Sequence, residues 1–211
     1  WTKSSNFFSR DNIITLARMC SVTILVGYAQ MVVIAGGGLN VSIGAIGGMS
    51  AVIVGALIKR AGVPWGYAII IAILIGAVCG AFNGILITRL GATGEISWLV
   101  TLATMSIFTG ISLTITKANP FYNLPKGYVW IGAHNVFGWI PVMIIIAVVV
   151  SVLLWYLFKY ASFGRQILAV GSNQRAAELS GVDVGRVMIF KHIFSAVIAA
   201  GAGILFSTRL G

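Results

Sequence analysis

Few groups in this 211-residue chain have the types and spacing for acid–base, nucleophilic or metal chemistry. The acids are Asp11, Glu95, Glu178 and Asp183, the histidines are His134 and His192, and the cysteines are Cys20 and Cys79. No H-E-x-x-H pattern occurs, which argues against metalloprotease chemistry. No glycine is followed by lysine, so the chain has no G-x-x-x-x-G-K-[ST] loop to cradle ATP phosphates. Neither cysteine belongs to a C-x-x-C pair, and both read as small apolar packing residues. The two histidines read as lying in or near loops. All four acids fall at or outside the ends of apolar runs. Proton-coupled carriers ordinarily keep an ionisable group inside the membrane, so this placement speaks against proton coupling. No arginine ladder or selectivity-filter string is present. The chain is assigned no catalytic residue, no metal ligand and no cofactor.

Two polar stretches remain. Phe163–Asp183, FGRQILAVGSNQRAAELSGVD, concentrates charge and amides in an otherwise oily chain. Ser172 or Asn173 suits a helix N-cap and Gly181 suits the residue after a helix end, which predicts a two-turn helix between them. Ala176, Ala177 and Ser180 would give that helix a flat face, and Arg175 and Glu178 are spaced to pair. The stretch reads either as a docking helix for another protein or as a solvated linker. The second stretch, Gly37-Gly38-Leu39-Asn40-Val41-Ser42-Ile43-Gly44, predicts a break in a helix near Gly36–Gly44. Exposed backbone survives in a bilayer only under protein or beside a water-filled cavity. Broken helices of this kind often line transport paths; the alternative is close packing through small residues. Asn83, Thr101, Thr104 and Ser106 add polar groups to the following apolar runs, either for bonds between helices or to face a polar path.

The elements that must position these stretches are membrane spans. Hydrophobic residues make up 59% of the chain and charged residues 9%, against about 25% charged in a soluble domain. Charge-free runs such as Ala61–Thr88 and Ile96–Thr116 give an all-α, polytopic transmembrane bundle. Six spans are predicted: Ile14–Ile34, the broken one resuming over Gly44–Ile58, Trp65–Thr88, Ile96–Thr116, Trp139–Phe158 and Val187–Thr208. Trp1–Asn12 reads as interfacial, and Arg18 as able to snorkel to the headgroups. A net charge of +10 would suggest nucleic acid in a soluble protein; here the basic residues lie mostly at span ends and read as topology signals, with no nucleic-acid partner. Lys159, Arg165, Arg175, Arg186 and Lys191 place the loop from Lys159 to Lys191 in the cytoplasm. Alternation then puts Lys117–Gly138 outside, Arg89–Glu95 inside, and Lys59–Pro64 outside, although the Lys59-Arg60 pair opposes that scheme.

Ala176-Ala177…Gly181 resembles the A-A-x-x-x-G coupling loop of bacterial ABC importer permeases, with Arg175 where the broad pattern has glutamate. The longer string is similar to the form FGR-x-I-x-A-x-G-x-N-x-x-A-A-x-x-S-G-I of the ribose, xylose and autoinducer-2 branch of sugar permeases. It matches at Phe163, Gly164, Arg165, Ile167, Ala169, Gly171, Asn173, Ala176, Ala177, Ser180 and Gly181. Gly37–Gly44 resembles that branch's G-G-I-D-L-S-V-G, with Asn40 in place of aspartate. An amide keeps hydrogen-bonding capacity and loses the charge. Phe82–Gly91 and Trp98–Met105 resemble further family segments in the same order.

The resemblance implies a single transmembrane permease domain over 1–211, with 160–186 as its cytoplasmic coupling loop. Longer family members imply that this chain lacks one N-terminal and several C-terminal spans. The implied protein is a multi-pass inner-membrane subunit that moves a sugar or sugar-like solute inward. Its implied partners are ABC ATPase subunits, a second permease chain, an extracytoplasmic solute-binding protein and the lipid membrane. The implied coupling helix comprises Asn173, Arg175, Ala176, Ala177, Glu178, Ser180 and Gly181. Gly37, Gly38, Asn40, Ser42, Gly44, Asn83, Thr101 and Thr104 are the candidate pathway residues. The chain itself would be no enzyme. An ion-coupled secondary transporter or channel without an ATPase partner, and a non-transporting scaffold, stand as alternatives.

Overall fold

Lipid is as apolar as leucine, so apolar side chains alone do not hold helices together in a membrane; close backbone approach does. The computed structural model, which describes residues 8–91 and 96–210, is built on such approaches. Helix α3 (Trp65–Arg89) carries Gly76, Gly80 and Gly84 one turn apart, and α9 (Val184–Leu210) lies against them. A Cβ on Gly84 would stand 2.5 Å from the Ile189 Cα, and one on Gly80 2.5 Å from the His192 carbonyl oxygen. Helix α2 (Ile43–Ala61) meets α9 in the same way, with Gly203 against the Gly47 backbone. Helix α9 also packs on α1 (Arg10–Ala35), so three spans surround it. Helices α4 (Ser97–Thr116) and α6 (Val142–Tyr160) flank this group and leave most of their surface exposed.

These six helices are each long and apolar enough to cross a membrane, and the chain is an all-α polytopic bundle as its composition predicts. Helix α1 spans about 39 Å and α2 about 28 Å at 1.5 Å rise per residue, against a hydrocarbon core of about 30 Å. Successive spans run in opposite directions. The start of α1 lies by the α4–α6 connection, where Arg10 bonds the Gly138 carbonyl and Arg18 donates to the Asn135 Oδ1 at 2.9 Å. Its end lies at Gly171, in the α6–α9 connection. Gly55 of α2 meets Phe121 at the first end, and Thr88 of α3 meets Gly185 at the second. The loops predicted to share a side therefore do so. Trp1–Phe7 and Glu95 lie outside the described residues.

The α4–α6 connection is folded, not a plain linker. It holds α5 (Lys126–Ala133) and a two-stranded antiparallel ladder, β1 (Asn135–Val136) with β2 (Ile140–Pro141), paired Asn135 to Pro141 and Val136 to Ile140. Fully buried Tyr128 of α5 donates to the Ile204 carbonyl at 3.3 Å and pairs with the Ser207 hydroxyl. Burial pushes its phenol up to about 12. The ladder is also why α6 starts at Val142 and not at Trp139: Ile140–Pro141 is extended, and the residue before a proline is biased away from helical geometry.

Three sequence expectations need correction. The connection over 160–186 contains a helix that the sequence reading treats as loop, α7 (Ser162–Ser172), with Gly164, Ile167 and Val170 buried along one face. Lys191, counted among the loop charges, lies two turns inside α9 and is fully buried. His192 beside it is likewise fully buried, not in or near a loop. Among the basic residues, Arg10, Arg18, Lys59, Arg60, Lys117, Lys126 and Arg209 belong to the α5 end of the bundle, and Arg89, Lys159, Arg165, Arg175 and Arg186 to the α7 end. Charge bias by itself therefore does not orient the bundle.

The backbone packing predicts a sharp contrast. Gly84→Val puts two methyls into the Ile189 backbone and should abolish the monodisperse peak in size-exclusion chromatography of the detergent-solubilised protein. Gly48→Ala, on an exposed helical position with nothing within 4 Å of the new methyl, should leave that peak and its thermal midpoint unchanged or slightly raised.

Candidate functional site: a broken helix and a capped loop helix

Between α1 and α2 the chain leaves helical geometry at Gly36–Ser42. Gly37 has φ +75°, the left-handed region that glycine adopts without strain. The backbone groups freed there sit beside buried side chains and must be satisfied by protein. Side chains from α4 and from the break itself do this. Leu39 N–H donates to Ser97 Oγ at 3.2 Å, and Val41 N–H donates to Thr101 Oγ1 at 3.0 Å. Asn40 Oδ1 accepts from the Ser42 N–H at 3.0 Å and from the Ser42 hydroxyl at 2.7 Å. Asn83 of α3 donates from Nδ2 to Ser42 Oγ at 2.8 Å. Asn40, Ser42, Asn83 and Thr101 are all buried.

The sequence-derived pathway residues thus divide. Asn40, Ser42, Asn83 and Thr101 join the break to α3 and α4. Thr104 is buried but spends its hydroxyl on the Thr101 carbonyl of its own helix, at 3.1 Å. Gly44 is exposed on α2, Gly37 and Gly38 are partly buried, and Ser106 is exposed. Ser97 is the residue that the sequence reading passes over; only its position at a span start, next to the break in space, gives it a role. Two buried atoms in this knot have no hydrogen-bond partner among the described residues, Asn40 Nδ2 and Asn83 Oδ1. Both bonds that Asn40 makes need only an acceptor oxygen, which the amide supplies as a carboxylate would.

The end of α1 is held by Lys191, whose Nζ donates to the Gly36 carbonyl oxygen at 2.7 Å. A Cβ on Gly36 would meet the lysine Cδ at 2.6 Å. The lysine thus lies at the negative end of the α1 dipole, where a cation is favoured. Gly171 of α7 packs on the same turn: a Cβ there would collide with the Ala35 carbonyl oxygen and lie 3.0 Å from the Gly37 nitrogen.

Beyond Gly171 the chain enters α8 (Gln174–Leu179). Asn173 is its N-cap, accepting from the Ala176 N–H at 2.9 Å, and Gly181 follows the helix at φ +83°. Arg175 and Glu178 pair at 2.8 Å on the surface. Upstream, Arg165 donates to the Tyr160 carbonyl at 2.9 Å and closes the end of α6. The face of α8 is not the one its sequence suggests. Ala177 is 5% exposed and packs among Val32, Ile167, Val170, Val187 and Met188. Arg175, Ala176, Glu178 and Ser180 point outward, together with Leu179 at 76% exposure. Leu179 is the outward residue that a small-face reading misses.

Removing one acceptor from the break should cost stability. Thr101→Val keeps the shape but takes the acceptor from the Val41 N–H, and should destabilise the fold by about 1 kcal/mol. In a thermal-stability assay in detergent, Thr101→Val and Ser42→Ala should both lower the midpoint. Ser106→Ala, at an exposed hydroxyl, should not.

No solved structure matches the chain. Curated relatives do. The D-allose transport system permease protein of Escherichia coli strain K12 is 35% identical over 205 residues, covering 97% of this chain and 62% of that protein. The ribose import permease protein of Bacillus subtilis strain 168 is 36% identical over 207 residues, covering 97% and 63%. The autoinducer 2 import system permease protein of Yersinia pestis strain Pestoides F is 31% identical over 211 residues, covering 98% and 57%. The chain therefore spans about three fifths of the length of the curated relatives it matches. A family model, described as the permease component of the branched-chain amino acid transport system, matches residues 12–211. With six span-length helices, an irregular polar connection between the first two and a capped loop helix in the matched region, the chain belongs to that family of transport permeases.

Proposed function

We propose that this chain is the membrane-spanning part of an importer permease subunit, which carries a sugar or sugar-like solute inward on energy from ATP hydrolysed by separate subunits. The observation that carries this reading is α8: a helix capped at both ends, anchored by Ala177, with Leu179 and Ala176 presented outward at one end of the bundle. A linker has no need of an exposed leucine beside an anchored alanine. A cleft of an ATPase subunit receives that face, and the α7–α8 end of the bundle is the cytoplasmic one. The other end then faces a solute-binding protein, and a second permease chain completes the path in the inner membrane.

Sugar chemistry is favoured over amino acid chemistry by the relatives. Their names specify D-allose, ribose and autoinducer 2, although the family description names branched-chain amino acids. The break between α1 and α2 lines or hinges the path, since it is where polar side chains and irregular backbone meet inside the bundle.

One observation favours a second reading, ion-coupled transport without an ATPase. Lys191 and His192 are ionisable groups inside a span, a feature the sequence reading did not find. The energy source separates the two readings.

The deciding experiment is co-purification of the full-length protein from its native membrane in mild detergent. An ATPase subunit should accompany the parent. Leu179→Asp should reduce its recovery about tenfold, by removing an apolar anchor from the docked face. Uptake of radiolabelled D-ribose or D-allose should fail when the ATPase is absent. Uptake that survives its absence and collapses with a protonophore would establish the ion-coupled reading instead.

A further inference from the structure

A fully buried lysine without an ion-pair partner among the described residues needs a reason to be there. Transferring an ammonium out of water is costly unless it is bonded. Lys191 has one bond, to the carbonyl that ends α1, and the α1 dipole adds to it. That carbonyl belongs to Gly36, immediately before the left-handed Gly37. Gly37 in turn touches Gly171: a Cβ on Gly37 would lie 3.1 Å from the Gly171 Cα. Gly171 is separated from the α8 cap, Asn173, by one residue. The C-terminal turn of α7, the end of α1 and the second turn of α9 therefore meet at one point, with no side chain between the α7 and α1 backbones.

We propose that Lys191 is a positioning residue for transport. It clamps the end of α1 to α9, so that the break rests on Gly171 and a displacement of α7–α8 is delivered to Gly36–Ser42. This inference rests on the docking reading of α8. Without the clamp, the end of α1 is free to follow or ignore α7, and ATP hydrolysis no longer moves the break. Steric contact transmits a push and not a pull. The bond from Lys191 keeps the end of α1 seated between α7 and α9, so that it follows α7 in both directions.

The test uses the full-length permease assembled with its ATPase in proteoliposomes, with radiolabelled D-ribose and D-allose as probes. Three quantities are read: ATPase retained, ATP hydrolysed, and sugar taken up per ATP. Lys191→Met should retain the ATPase and hydrolyse ATP, while uptake per ATP falls by about tenfold or more. Lys191→Arg, which keeps the charge and the donor, should recover most of that loss. If Lys191→Met does not assemble, Lys191→Gln carries the test, because it keeps a polar side chain beside Gly36 while removing the charge and shortening the reach to the Gly36 carbonyl, and it should give the same uncoupling. Parental uptake per ATP in whichever variant assembles overturns the clamp and leaves the docking reading standing. Absence of any ATPase with the parent overturns the docking reading, and the clamp falls with it.

Discussion

Backbone that leaves a helix among packed spans must find its hydrogen bonds again, and much of this structure follows from that constraint. The break at Gly36–Ser42 exists only because Ser97, Thr101, Asn83 and Asn40 stand where its N–H groups and hydroxyl point. That requirement fixes where α3 and α4 lie relative to α2. It also explains why these spans tolerate polar residues at all. An isolated asparagine in a span is a liability; here Asn83 ends on a serine that is itself bonded back to the break. The carbonyl at the end of α1 meets the same demand through a lysine 155 positions away in sequence.

Packing and polarity are distributed unevenly. On one side, α2, α3 and α9 approach through glycine and alanine, close enough that an added methyl would collide with backbone. On the other, α1 and α6 meet through larger groups, including a bond from the Tyr28 hydroxyl to Ser151 Oγ at 2.9 Å. The extramembrane pieces are organised to match. The α5 cap is held by Tyr128 and the arginines Arg10 and Arg18, whereas α7 and α8 lie on the bundle through apolar residues, Ile167, Val170 and Ala177.

Much of this is legible in the sequence, for definable reasons. Six spans appear because charge-free runs of about 20 residues have few alternatives. The loop helix appears because Asn173 and Gly181 are strong end signals. What sequence reading loses are placements that tertiary contacts decide. Lys191 reads as a loop charge because a buried lysine needs a carbonyl partner that only the fold brings to it. Helix α7 hides in its polar composition, although Phe163, Ile167 and Val170 already repeat at helical spacing. The glycine ridge of α3 is visible at four-residue intervals, but which span it meets is not. Ala177 and Ala176 are equivalent as letters, and only the rotation of α8 sends one inward and the other out.

The glycine contacts around α9 have a mechanical meaning. Side chains act as springs: they change rotamer and let one helix slide past another. Where backbone rests on backbone that compliance is missing, so α2, α3 and α9 form a stiff plate that moves as a body or not at all. Compliance is left to the α1–α6 seam, which is filled by flexible side chains. A transport cycle run on such a molecule would divide it into a frame and a moving leaf, with the boundary drawn by the sizes of the residues between helices.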